Sequence, residues 1–151
     1  MIKYITGDAT LPTGSKDREL KIIVHICNDE KKWGKGFVMA LSKRWTWPRQ
    51  TYMKMKQELG NISHCWVNDD TCVINMIAQE GIYSKNGEKP IRYKALKTCF
   101  EKVIEYLKKY ERPVSIHMPR IGCGLAGGKW EKVEPIIKEI LANYEVIVYD
   151  L

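Results

Sequence analysis

An apolar run that breaks into a cluster of glycines constrains this chain more than any other feature. Val114-Ser115-Ile116-His117-Met118 reads as a buried strand, and four glycines then fall within the seven positions from Gly122 to Gly128. Beyond them Trp130, Val133, Ile136, Ile137 and Ile140 recur at helical spacing. A strand, a glycine turn and a helix in that order form a βα unit. The same order suits a phosphate, because main-chain N–H groups approach an anion closely at glycine and the helix N-terminus adds a favourable dipole. A tight turn that binds nothing leaves the same pattern, so the motif alone keeps both readings open.

The rest of the chain repeats that alternation. Ile2–Thr6 reads as a strand, followed by the turn Gly7-Asp8-Ala9-Thr10. Leu20–Cys27 is a nearly continuous apolar run rich in β-branched residues, as expected of a strand covered on both faces. Helices are expected over Gly36–Trp45, from Pro48 to Leu59 with Gly60 as the stop, and over Ile91–Lys109. Strands are expected at His64–Val67, Cys72–Gln79 and Val146–Tyr149, the first two joined by the turn Asn68-Asp69-Asp70. The fold class is therefore α/β, a three-layer α/β/α arrangement with a central mixed, largely parallel sheet. No repeat, low-complexity segment or linker divides it, so residues 1–151 are expected to form one domain. Ligands of such sheets bind beyond the carboxyl ends of the strands, which singles out the loops Asp8–Thr10, Asn28–Gly36 and Ile121–Gly128.

The second of these loops has the same design as the first motif. Cys27-Asn28-Asp29-Glu30-Lys31-Lys32-Trp33-Gly34-Lys35-Gly36 runs from a buried strand through a polar loop to a Gly-x-Gly at a helix entrance. Two such entrances in one small domain can grip a diphosphate from two sides. Trp33 is placed either to pack on a sugar or to cover the apolar helix face. Asn28 either hydrogen-bonds sugar hydroxyls or serves as a turn former.

Composition narrows the partners. A net charge of +7 favours acidic ones, either a phosphorylated small molecule or nucleic acid. The nucleic-acid reading draws on Arg44, Trp45, Trp47 and Arg49, but the tryptophans equally suit helix packing and no segment is a basic arm. No apolar run reaches the ~20 residues that span a bilayer, and the N-terminus enters a strand pattern directly, so a cytoplasmic monomer without membrane contact is expected. Five cysteines without a disulfide rhythm agree with a reducing compartment. His64, Cys65 and Cys72 are the one candidate metal group; their spacing fits a hairpin better than a zinc site, and neither a metal nor a cofactor is expected.

Gly7-Asp8-Ala9, Val24-His25-Ile26-Cys27-Asn28 with Trp33-Gly34-Lys35-Gly36, and Pro119-Arg120-Ile121-Gly122-Cys123-Gly124-Leu125 together resemble the macrodomain family of ADP-ribose-binding modules. The likeness extends from Ile2 to Leu151 and is strongest for the compact branch that holds the terminal ADP-ribose protein glycohydrolase and the yeast ADP-ribose-1''-phosphate phosphatase. The resemblance implies that Asp8 and the Ala9 backbone hold adenine, and that Asn28 faces the distal ribose. It implies that Trp33, Gly34, Lys35 and Gly36 wall the ribose and diphosphate. Arg120, Ile121, Gly122, Cys123, Gly124, Leu125 and Ala126 would bind the diphosphate from the other side through main-chain N–H groups, with Leu151 closing over the ligand.

The departures bear on chemistry. The glycohydrolase relative uses a lysine after the strand that corresponds to Val73–Ile77, where this chain has Ala78-Gln79-Glu80, and an acidic residue where it has Ala126. Gln79 cannot form a covalent sugar adduct and Ala126 cannot transfer a proton. His25 is the remaining catalytic candidate, as acid or base near the distal ribose, against the alternative of a histidine bonded within the fold. Cys123 is read as a backbone donor rather than a nucleophile. The expected function is binding of ADP-ribose and its derivatives, as a hydrolase of ADP-ribose-1''-phosphate or of ADP-ribosylated macromolecules, or as a non-catalytic reader.

Overall fold

The computed structural model describes residues 1–151. Its elements, in chain order, are β1 (Ile2–Thr6), β2 (Leu20–Asn28), α1 (Phe37–Arg44), α2 (Trp47–Lys54), β3 (Ile62–Trp66), β4 (Thr71–Gln79), α3 (Tyr93–Leu107), β5 (Val114–Pro119), α4 (Trp130–Ile140) and β6 (Glu145–Asp150). The strands form one six-stranded sheet in the order β1-β6-β5-β2-β4-β3. Every pairing is parallel except that of β3 with β4, so the expected mixed, largely parallel sheet is present.

β2 and β4 form its centre, and their apolar runs are buried almost throughout. Side chains alternate across the pleat. Leu20, Ile22 and Val24 join Cys72, Ile74 and Met76 in a core of 24 buried residues beneath α3 and α4. Ile23, Cys27, Val73 and Ile77 face the other way, into a core of 8 buried residues under α1 and α2 that also holds Trp33 and Tyr52. This smaller face does not extend over β5 and β6. There Gly7 lies against the Tyr149 ring, and buried polar residues form a chain: Tyr149 hydroxyl to His117 Nδ1 at 2.6 Å, His117 Nε2 to Ser115 Oγ at 2.7 Å, and Ser115 hydroxyl to Glu19 Oε2 at 2.6 Å.

The expected helix from Pro48 to Leu59 is cut short at Lys54. Met55 is extended, and the Gln57 side-chain amide caps the carbonyls of Tyr52 and Met55. Gly60, expected as a helix stop, instead donates its N–H to Ile77 O of β4 and adopts φ +90° where a Cβ would meet Thr98. Contact with the sheet edge therefore overrides helical periodicity. The strand expected at His64–Val67 starts earlier, at Ile62, and the long helix starts later, at Tyr93, because Ile91 bridges Gln79 and Arg92 N–H bonds Ala78 O. Cys65 pairs with Val73 while Cys72 pairs with Trp66, so the two thiols point to opposite faces of the expected hairpin. No group of three His, Cys, Asp or Glu side chains converges as metal ligands would, and no helix is long and apolar enough to cross a membrane.

Candidate functional site

β5 and β2 are neighbours, and the connections that follow them leave in opposite directions along the sheet, to β6 on one side and to β3 and β4 on the other. A switch of this kind opens a crevice at the carboxyl ends of the strands. It is filled here by a cleft of about 780 Å³, within the range of small-molecule sites. The loops after β2 and β5 form its two walls. They come together at Gly36, where a Cβ would lie 3.9 Å from Leu125 Cδ1. Lys31, Lys32, Lys35, Arg49 and Arg120 border the cleft and no Asp or Glu does, so its electrostatics select for anions.

The first wall is built by side chains. Asn28 Oδ1 accepts from Glu30 N–H at 2.9 Å, Lys32 N–H at 3.2 Å and the Tyr52 hydroxyl at 2.9 Å, and Asn28 Nδ2 donates to Lys32 O at 2.9 Å. Asn28 is thus the organiser of its own loop, the turn-forming alternative, although it borders the cleft. Trp33 borders the cleft and also covers α1. It is 7% exposed, donates Nε1–H to Ser42 Oγ on α1 at 2.8 Å, and packs on Tyr52 and His25. With these two anchored, the N–H groups of Gly34, Lys35, Gly36 and Phe37 are left without a protein acceptor. Gly36 sits at φ +82°, which a side chain rarely adopts, while at Gly34 a Cβ would meet nothing within 4 Å.

The second wall is built by the backbone. Ile121 N–H bonds Pro119 O at 2.7 Å, Cys123 N–H bonds Arg120 O at 3.4 Å, Gly127 N–H bonds Gly124 O at 3.0 Å and Gly128 N–H bonds Gly122 O at 2.6 Å. Those turns leave the N–H groups of Gly122, Gly124, Leu125 and Ala126 free of protein acceptors. Ile121 and Cys123, expected as donors to a ligand, are engaged inside the loop because their amides close its tight turns. The Cys123 side chain packs against the larger core and burial raises its thiol pKa, so it is no activated nucleophile. At Gly122, with φ +74°, a Cβ would lie 2.4 Å from Ile91 Cδ1; at Gly124 it would meet nothing within 4 Å. Packing dictates the first glycine, whereas nothing in the unliganded fold requires the second.

His25 lies on β2 beneath the first loop, 2% exposed. Its Nε2 is 2.5 Å from Asn75 Oδ1, and the Asn75 amide nitrogen donates to Pro48 O and Ser63 Oγ, so His25 Nε2 carries the proton. Burial lowers its pKa to about 4, which keeps the ring neutral near pH 7. His25 is therefore bonded within the fold through Nε2, and it also borders the cleft. Gln79 borders the far end of the cleft and donates Nε2–H to Gly81 O at 3.0 Å.

Asp8, Ala9, Cys123 and Leu151 do not border the cleft. Asp8 Oδ1 accepts from the Thr10 hydroxyl and N–H, and its Oδ2 pairs with Arg44 at 3.3 Å; these partners, the Thr10 hydroxyl foremost, hold its carboxyl below the ordinary range. Ala9 is buried, and Leu151 stands fully exposed beyond β6. The Arg44–Arg49 cluster divides: Trp45 packs on the smaller core, Trp47 is exposed and Arg49 reaches the cleft. Sequence reasoning passed over Ile82 and Tyr83, which reach the cleft from the segment after β4. Their signal was available, as an apolar pair just past the carboxyl end of a central strand.

No family model matches the chain. The solved structure of a macrodomain protein from Streptomyces coelicolor is 38% identical, with a TM-score of 0.79 over 100% of this chain and 99% of that one. The zebrafish chromodomain-helicase-DNA-binding protein 1-like is 34% identical over 94% of this chain, which spans only 14% of that relative's length. An ADP-ribose 1''-phosphate phosphatase from Candida albicans is 25% identical over 92% of this chain and 93% of its own.

Proposed function

Since the chain belongs to the macrodomain family, we propose that its cleft binds ADP-ribose and derivatives of it. One observation carries this reading. Two sets of main-chain N–H groups without protein acceptors, at Gly34 to Phe37 and at Gly122, Gly124, Leu125 and Ala126, stand on opposite walls of a cleft bordered by cations and by no carboxylate. Gly34 and Gly124 add to it, because the space a Cβ would occupy is open at both, as a backbone approached by a diphosphate requires. The ligand's direction follows in this reading from the resemblance to macrodomains. With the diphosphate between the β5 and β2 loops, the adenine end would lie toward β1 and β6, on the side of Asp8, Ala9 and Leu151, none of which borders the cleft itself. The other end lies toward β4, where Gln79 and Tyr83 flank the distal ribose and Asn28 holds the loop beside it.

Calorimetry with ADP-ribose tests the reading. Binding is expected for the unaltered chain, and Gly124→Glu, which places a carboxylate among the amides, is expected to weaken it by about 100-fold or more, or about 2.7 kcal/mol. No heat from the unaltered chain at millimolar ligand overturns the proposal.

A hydrolytic version draws on the Candida albicans relative's name. With no carboxylate at the cleft, His25 is the only side chain there that could act as a general base, and its pKa of about 4 makes it a weak one, with Nε2 bonded to Asn75. Removal of a terminal phosphate then depends on orientation by the loops, with the phosphate itself accepting the proton of the attacking water and the amides stabilising the charge that develops. Turnover of ADP-ribose-1''-phosphate or of ADP-ribosylated protein distinguishes this from a reader, for which binding persists without turnover. Five free thiols, four of them buried, suit action in a reducing compartment such as the cytoplasm.

A further inference from the structure

Arg120 opens the second glycine loop, yet its side chain is engaged away from the amides. The guanidinium donates Nε–H to Asp150 Oδ1 at 2.7 Å and Nη2–H to Asp150 Oδ2 at 3.1 Å, a two-point pair with the last residue of β6. Its central carbon lies 5.1 Å from the Tyr4 ring centroid and 5.2 Å from that of Trp130, within reach of cation–π attraction to both. Trp130 Nε1–H donates to the Tyr4 hydroxyl at 3.0 Å, the two rings meet edge-on at 6.2 Å, and the Tyr4 hydroxyl donates to the Glu134 carboxylate.

The place of these residues in the chain gives the contacts their meaning. Arg120 directly follows β5, and Trp130 is the first residue of α4. The start of the loop and the residue just past its end are thus gathered on one ring from β1 and tied to β6 through Asp150. Of this group only Arg120 borders the cleft. Within the loop the hydrogen bonds are local turns, and from outside it Ile91 N–H reaches Ala126 O at 3.1 Å and the Tyr93 hydroxyl accepts from Lys129 N–H at 3.1 Å; the amides at Gly122, Gly124, Leu125 and Ala126 themselves have no protein partner. Amides that converge on one anion bind it well only if they are ordered beforehand; otherwise the ordering cost is subtracted from affinity.

We infer that Arg120 is a positioning residue: through Asp150, Tyr4 and Trp130 it holds both ends of the 120–129 loop, so that the loop amides face the diphosphate before the ligand arrives. Its charge acts on the loop and does not touch the phosphates. This inference rests on the ADP-ribose reading.

Asp150→Asn separates the two roles, because it releases the guanidinium while leaving its charge. If Arg120 positions the loop, Arg120→Gln and Asp150→Asn each weaken ADP-ribose binding about tenfold, and the double variant weakens it by about the same factor rather than their product. Binding that is equal or tighter in Asp150→Asn marks a direct phosphate contact and overturns the inference. A lowered melting temperature with unchanged affinity overturns it too. The ion pair is largely exposed, with side chains 40% and 43% accessible, so both variants are expected to fold. Amide hydrogen exchange without ligand provides the independent arm: the hydrogen-bonded amides of Ile121, Cys123, Gly127 and Gly128 should exchange faster in both variants, and unchanged exchange refutes the clamp. If the unaltered chain binds no ADP-ribose, the functional reading fails and the clamp stands or falls on exchange alone.

Discussion

The loops after β2 and β5 present the same outward pattern, glycines at a helix entrance with free amides beyond them, but they are held in different ways. The first is organised from within by side chains: Asn28 gathers Glu30, Lys32 and Tyr52, and Trp33 is anchored on Ser42. The second is organised by its backbone and by what surrounds it, with Gly122 pressed against Ile91 and Ile26, and Gly128 against Gly122 O at 2.5 Å from where a Cβ would sit. Each loop nevertheless contains one glycine, Gly34 or Gly124, that neither conformation nor packing requires. The comparison separates glycines that the fold needs from glycines that a ligand needs, although the sequence writes both with the same letter.

The sharpest way to break that distinction is to fill the space. Gly122→Val combines a left-handed φ with a clash against Ile91, and is expected to cost about 4 kcal/mol, read as a melting temperature lower by about 10 °C. Gly124→Val is expected to change stability by less than about 0.5 kcal/mol while weakening ADP-ribose binding. Equal stability losses at the two positions would erase the comparison.

Acid tests the layer under the first loop. His25 has a pKa lowered from 6.5 to about 4 by burial, so between those values the unfolded chain binds a proton that the folded chain does not. Stability therefore rises with pH across this window; it is fully present above pH 6.5 and lost as pH falls toward 4, by up to about 3 kcal/mol for this group. His117 contributes in the same direction, its pKa lowered to about 4 chiefly by burial. Melting temperatures of the unaltered chain and of His25→Gln across pH 4 to 7 check this. The variant should lose the His25 share of the slope and keep the rest.

Asn28→Ala removes the side chain that gathers the first loop and should cost about 2 kcal/mol. Hydrogen exchange should speed up at Glu30 and Lys32, whose amides Asn28 accepts, and stay unchanged at Cys123, Gly127 and Gly128. A response in both loops would mean that the walls are not independently built. The smallest effect is expected at Cys123, whose thiol is packed on the core side: Cys123→Ser should alter ADP-ribose affinity by less than about twofold. A larger loss would bring the thiol into the site.

Much of this was legible in the chain. The apolar runs Leu20–Cys27 and Val114–Met118 announced buried parallel strands, because a strand covered on both faces has no solvent side to mark with polar residues. Helix α3 showed itself through Leu96, Phe100, Val103 and Leu107 at helical spacing. The glycine clusters marked the two loops that keep main-chain amides free of protein acceptors. The early end of α2 was not legible, since Gln57 caps it from beyond the helix and Gly60 bonds a strand distant in sequence. Tyr83 was legible as part of an apolar pair just past β4, but that this end of β4 opens on the cleft depends on where β4 sits beside β2.

The order of strands and helices, and the two loops that would form a site, were set by local pattern: hydrophobic period, glycine placement and charge act over neighbouring residues and can be read along the chain. Which atoms remain available was decided only by the tertiary structure. Asn28, Trp33, His25 and Arg120 carry the same functional groups in any fold, but each finds its partner far away in sequence or in its own loop, and a hydrogen bond made inside the protein removes that donor or acceptor from a ligand. The amides that survive that competition form the candidate site.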